Sequence, residues 1–137
     1  MTDIAKLKAD LERDEGRRKK VYLDSEGIET IGVGRNIRNV GLSDAEIDLL
    51  LDNDIAKVES ELDHAIPWWR GLSEPRQRAL ANMCFMGIGK LLGFKRMLAA
   101  LEFGDYERAA SEALNSKWAG QVGSRAYRIA QLIKGGS

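Results

Sequence analysis

Glu15 and Asp24 are the residues with the clearest capacity for chemistry, and Thr30 follows at a spacing that can join them. The stretch Arg13-Asp14-Glu15-Gly16 places one carboxylate where a helix ends. The stretch Tyr22-Leu23-Asp24-Ser25-Glu26-Gly27 places the second where a turn begins. Two carboxylates held on separate elements, in different surroundings, suit an acid and a base working on one substrate. Thr30 adds a hydroxyl on the strand that returns from the turn.

The element before Glu15 must be a helix. Thr2 or Asp3 can cap it, and Ile4, Leu7 and Leu11 form one apolar stripe at i, i+3 and i+7. Glu15 lies four residues beyond Leu11 and continues that stripe, and Gly16 suits the stop just past the helix. A buried carboxylate at a helix C-terminus is disfavoured by desolvation and by the dipole, the environment of a general acid. The competing reading is an ion pair between Glu15 and a nearby arginine.

Val21 to Gly34 reads as a β-hairpin around the turn Asp24–Gly27, with Ile28 to Val33 alternating. Period two puts Ile28, Thr30, Gly32 and Gly34 on one face. Glycines there mark a close approach of ligand or backbone, and a sugar chain on that face would account for Gly32 and Gly34. A bulged or strongly twisted hairpin without ligand is the alternative, and the glycines alone favour it.

These residues carry a resemblance. Asp14-Glu15-Gly16, the Tyr22, Asp24, Glu26-Gly27 turn and Thr30-Ile31-Gly32-Val33-Gly34 resemble the N-terminal signature of phage-type lysozymes, the T-even endolysin family. The likeness continues through Ala81-Asn82-Met83, Gly93-Phe94 and Lys117-Trp118 to Gln121, Arg125-Ala126 and Arg128, nearly the whole chain. It implies a muramidase that cleaves the β-1,4 bond between N-acetylmuramic acid and N-acetylglucosamine in peptidoglycan. Glu15 would be the acid, Asp24 the base or electrostatic stabiliser, and Thr30 a positioner of the attacking water. Gly32, Gly34, Asn82, Phe85, Gln121 and Arg125 are the expected substrate contacts, with Arg125 reaching Glu15. Trp118 is expected in the core rather than as a sugar platform. Asp54 matches a family position that pairs with a basic group, here Arg35. The family usually carries an amide residue between the phenylalanine and the Met-Gly, and Phe85-Met86-Gly87 lacks it.

Charge and composition agree with a soluble globular protein, at 44% hydrophobic and 31% charged residues. The 21 basic and 21 acidic residues cancel, but unevenly: residues 39–66 hold one basic and eight acidic residues, and residues 67–137 eleven basic and five acidic. Attraction to an anionic polymer should therefore be weak, salt-sensitive and C-terminal. A dense basic stripe with interleaved aromatics is missing, so no nucleic-acid partner is expected. Cys84 and His64 are each alone, which excludes intramolecular disulfides and histidine-pair metal sites. Asp52-Asn53-Asp54 fails as a calcium loop because Lys57 stands where glycine is needed. Neither metal nor cofactor is expected.

The remaining chain must hold the pair in place. Ser43 and Glu46 match a capping box, and a long amphipathic helix runs to about Ala65, before Pro67. Short helices follow, with Gly120–Gly123 read as a loop and Ser124 as the last cap. The expected fold is α+β, mainly helical and lysozyme-like. It comprises an N-terminal lobe with helix and hairpin (1–42), a connecting helix (43–66) and a helical lobe (67–137). No apolar run is long enough to span a membrane, so no stable membrane insertion is expected. Met1-Thr2-Asp3-Ile4 lacks the features of a signal peptide. The expectation is a monomer made in the cytoplasm of a bacterial host that acts on the periplasmic cell wall after release. The mechanism expected is inverting. A lytic transglycosylase relying on Glu15 alone, or a non-catalytic wall-binding module, are the alternatives.

Overall fold

In a computed structural model, residues 1–135 are described, and they divide into two compact units, one ending at Leu49 and the other beginning at Leu50. The first unit opens with helix α1 (Ile4–Glu15), whose start is capped by Asp3 accepting from the Lys6 N–H at 3.1 Å. An antiparallel sheet follows, with strands β1 (Arg18–Leu23), β2 (Glu29–Gly32) and β3 (Arg35–Asn36) in that spatial order. The third strand is only two residues long, as the short stretch between Gly34 and Gly41 requires.

Two expectations for this unit are corrected. The stripe Ile4, Leu7, Leu11 has helical periodicity, but all three side chains are exposed, and Leu11 keeps 44% of its surface in solvent. Periodicity orients side chains on a helix; it does not supply a partner surface. The second correction concerns the glycines. Ile31 pairs with Arg35, so β2 ends at Gly32 and Val33-Gly34 is the turn into β3 rather than a continuing strand, and both Gly32 and Gly34 adopt left-handed φ values, +69° and +70°.

Helix α2 (Asp44–Ala65) contains the boundary between the units. Its capping box is formed as expected: Ser43 Oγ accepts from the Glu46 N–H at 3.2 Å, and Glu46 Oε1 accepts from the Ser43 N–H at 2.8 Å. Only Val58 and Leu62 of its apolar face are buried; Ile47, Leu50, Leu51 and Ile55 are exposed.

The second unit continues with a 3-10 turn (Pro67–Gly71) and helices α3 (Glu74–Cys84), α4 (Ile88–Leu92), α5 (Lys95–Phe103), α6 (Tyr106–Leu114), α7 (Lys117–Val122) and α8 (Ser124–Lys134). Their shared core holds Leu62, Leu80, Met83, Leu91, Met97, Leu101, Ile129 and Ile133, all fully buried. Ala109, Ala110 and Ala113 give α6 a smooth inner face against which α8 packs closely. Cys84 is buried here as an inert thiol, its pKa raised by desolvation and then by the Glu61 charge. The stretch expected as a loop before α8 is helical: Ser116 caps α7 by accepting from the Ala119 N–H at 3.2 Å, and Gly123, not Ser124, precedes α8. A serine cap carries this short helix through Gly120, and Gly123, at φ +59°, ends it.

Candidate active site

Glu15 is the last residue of α1, and Gly16 closes the helix by donating its N–H to Glu12 O at 2.9 Å with φ +80°. The Glu15 side chain folds over the β2–β3 turn onto Gly34. A Cβ at Gly34 would stand 2.9 Å from Glu15 Oε2 and 3.0 Å from its Cδ. Glu15 itself is exposed, so the apolar, desolvated seat expected for it is corrected. What positions this carboxyl is the backbone of the turn beneath it, where glycine alone leaves room.

Asp24 is half-buried and organises the β1–β2 turn. Its Oδ1 accepts from the N–H groups of Glu26 and Ile28 at 2.8 and 2.9 Å, and its own N–H donates to Ile28 O at 3.0 Å. This is the Asx geometry that makes aspartate a turn residue. Oδ2 takes no hydrogen bond among the described residues and is left for another partner.

Thr30 occupies the middle of the central strand, opposite Tyr22 of β1 and Asn36 of β3, and is 4% exposed. Its hydroxyl donates to Ile28 O at 2.8 Å, which spends the hydrogen and leaves the oxygen lone pairs to accept. Ile28 therefore serves both groups: its N–H holds Asp24, and its carbonyl holds Thr30. Nothing in the side chain of Ile28 announces this backbone role.

The third feature is Arg35, the first residue of β3. Its guanidinium grips Glu46 with two contacts, Nη1 to Oε1 at 2.8 Å and Nη2 to Oε2 at 2.7 Å, and donates to Gly41 O at 3.1 Å. That pairing corrects the expected one with Asp54, which is exposed and enters no ion pair among the described residues. The Arg35 hydrogen bond, followed by the Ser43 backbone hydrogen bond, lowers the Glu46 pKa to about 2. Glu46 was legible as a helix cap; its second role as the anchor of β3 was not.

In the second unit, Arg125 forks onto Asn82. Nε and Nη2 donate to Asn82 Oδ1 at 3.0 and 2.7 Å, and Nη2 also donates to the Asn82 carbonyl at 3.0 Å. The recorded partner of the guanidinium expected at Glu15 is thus an amide of its own unit. Asn82 and Arg125 line a cavity of about 420 Å³ with Arg78 and Arg128. Phe85, 45% exposed, borders an adjoining cavity with Leu51, Ile55 and Leu132. Gln121 lies apart from these on α7, beside Trp118 and Phe94. Trp118 packs against the core as expected, edge-on to Phe94 at 5.6 Å, with its N–H on Met86 Sδ at 2.7 Å. Among the described residues no group of three or more potential ligands could hold a metal ion.

Residues 12–132 match the phage lysozyme family. The chain belongs to that family. By that membership it is a glycoside hydrolase of the lysozyme type that degrades peptidoglycan. It is 33% identical over 156 aligned positions to the pre-baseplate central spike protein Gp5 of Enterobacteria phage T4, covering 93% of this chain and 27% of that protein. The chain thus spans about a quarter of the length of the T4 relative. Two proteins of Dictyostelium discoideum, probable T4-type lysozymes 1 and 2, are each 26% identical over 164 positions, covering 98% of this chain and 96% of theirs. These alignments are longer than the 137 residues of the chain, so the relatives carry residues that it lacks. The short β3 and the missing amide near Phe85 are in keeping with such shortening. No helix among the described residues is long and apolar enough to cross a membrane.

Proposed function

We propose that this lysozyme-family chain hydrolyses the β-1,4 bond between N-acetylmuramic acid and N-acetylglucosamine with inversion. Glu15 protonates the leaving glycosidic oxygen. A water held by Thr30 Oγ1, as acceptor of one hydrogen, and by Asp24 Oδ2, as acceptor of the other, attacks the opposite face of the sugar. The observation that carries this reading is the shared tether at Ile28: it uses up the donor of Thr30 and occupies one oxygen of Asp24, and leaves each with an oxygen that can accept. An inverting route needs carboxyl groups about 6.5–9.5 Å apart, room for that water, against about 5–5.5 Å for a covalent one.

Substrate binding falls to Gly32 and Gly34 at the turn and to Asn82, Phe85, Gln121 and Arg125 in the second unit. The exposed amides of Asn82 and Gln121 suit the acetamido groups of the sugars. The chain works as a monomer on the periplasmic wall, after release from the cell that makes it, with the N-terminal lobe at 1–42, the connecting helix at 43–66 and the helical lobe at 67–137 as its working parts.

The test is turbidity clearing of permeabilised Gram-negative cells by the protein and by Glu15→Gln. Clearing should fall by at least about 10²-fold, the contribution of a general acid, with the fold retained. Mass spectrometry of the digested wall should show reducing ends that carry one added water. Anhydro ends would identify a transglycosylase instead, and equal clearing by Glu15→Gln would remove Glu15 from the mechanism.

A further inference from the structure

The register of the sheet breaks once, and it breaks at a run of cations. Arg18 pairs with Gly32 and Tyr22 with Thr30, so Lys19, Lys20 and Val21 of β1 together face Ile31 alone. Bulged residues leave the ladder and bend the strand, which re-aims their side chains. This bulge lies on an outer strand of the sheet, and all its residues are exposed.

The charges around it are sorted. Arg17 is taken by Glu12 at 2.8 Å, and Arg13 by Asp10 and Asp14 at 3.4 and 3.3 Å. Arg18 stacks on Tyr22, 4.7 Å from its ring centre. Lys19 and Lys20 enter no ion pair or side-chain hydrogen bond among the described residues. Beside them stand two bare aliphatic side chains, Val21 at 56% and Leu23 at 63% exposure. A soluble polyanion would use the cations and leave those aliphatics in water. An anionic bilayer surface uses both, phosphate for the lysines and the headgroup–acyl boundary for the valine and leucine.

We propose that the bulged segment Lys19-Lys20-Val21, with Leu23, docks this protein peripherally on an anionic phospholipid surface. Docking of this kind goes beyond wall hydrolysis and requires no inserted helix. It would hold the chain at the membrane that borders its substrate.

Co-sedimentation with vesicles tests it. The protein should pellet with mixed phosphatidylcholine–phosphatidylglycerol vesicles, stay in solution with phosphatidylcholine alone, and detach as salt is raised. Each basic residue near such a surface is worth about fivefold in partitioning, so Lys19→Glu/Lys20→Glu should lower binding by at least about 25-fold. Lys19→Gln/Lys20→Gln removes the positive charges without adding negative ones and should lose less. Val21→Ser/Leu23→Ser should weaken binding without changing its salt dependence. Circular dichroism checks that each variant is folded, and turnover of purified wall, measured without vesicles, should be unchanged in the lysine variants. The proposal is overturned if the protein ignores anionic vesicles or if the lysine variants pellet as well as the parent. It is equally overturned if soluble polyphosphate removes all binding while Val21→Ser/Leu23→Ser has no effect, which would mark a site for soluble polyanions.

Discussion

The carboxyl of Glu15 rests on Gly34, so closely that a single added methyl would stand 2.9 Å from Oε2. The same glycine turns the chain from β2 into β3 with φ +70°. One residue thus closes the turn and seats the carboxylate. Gly34→Ala should cost about 1–3 kcal/mol in left-handed backbone strain and also displace Glu15. Gly32 has nearly the same φ, +69°, but open space where a Cβ would go. Gly32→Ala should therefore match Gly34→Ala in thermal unfolding yet keep a far higher turnover at saturating substrate, any loss from sugar binding falling on affinity, since misplacing a catalytic group by about 1 Å can cost 10²-fold. Equal activities in the two variants would show that the contact with Gly34 does not matter.

Asp24 separates structure from charge. Its Oδ1 holds two backbone N–H groups, an acceptor role that Asp24→Asn keeps and Asp24→Ala destroys. Asparagine should leave unfolding nearly unchanged and still abolish most turnover, by losing the negative charge beside the water. Alanine should lose turnover and, in addition, about 1–3 kcal/mol of stability. Chemical denaturation beside turbidity clearing reads both quantities.

The Arg35–Glu46 pair makes folding sensitive to acid. Glu46 sits at about 2 in the folded chain against an ordinary 4.5, so as pH falls the unfolded chain takes up the proton first. Its stabilisation is complete above about pH 4.5 and drains away between there and pH 2. The melting temperature should drop over that window more in the parent than in Glu46→Gln. A parallel decline in both proteins would assign the acid sensitivity to other carboxylates, among them Asp63, whose pKa is lowered first by the Arg70 hydrogen bond and then by that of Trp69.

Arg76 ties three helices of the second unit together. It donates from Nε to Ile133 O at 2.7 Å and from Nη2 to Lys134 O at 3.1 Å, meeting carbonyls at the end of α8 that have no intrahelical partner. Its guanidinium also lies 3.4 Å from the Tyr106 ring centre on α6, and Nη1 donates to Ser73 Oγ at 3.0 Å ahead of α3. Arg76→Ala should destabilise by about 2 kcal/mol. Arg76→Lys should recover little, because one ammonium cannot reproduce the planar fork. Hydrogen exchange should report the loss first at the C-terminal end of α8.

Local chemistry was legible in the chain because it acts over three or four residues. Asp3, Ser43 with Glu46, and Asp105 cap helices as their types and spacing require, and Asp24 to Gly27 makes the hairpin turn its composition dictates. The order of helix, hairpin, long helix and helical bundle follows from such signals and from apolar periodicity. Tertiary structure alone decided which groups meet. Arg35 chose Glu46 over Asp54 because the turn after β3 delivers its guanidinium to the first turn of α2. Gly34 became the seat of Glu15 because the side chain at a helix end lies where a Cβ on the strand turn would stand, a juxtaposition of residues 19 positions apart that no local spacing encodes. Glu15 proved exposed for the same reason: a stripe along a helix says which way side chains point, and only another element can take them out of water.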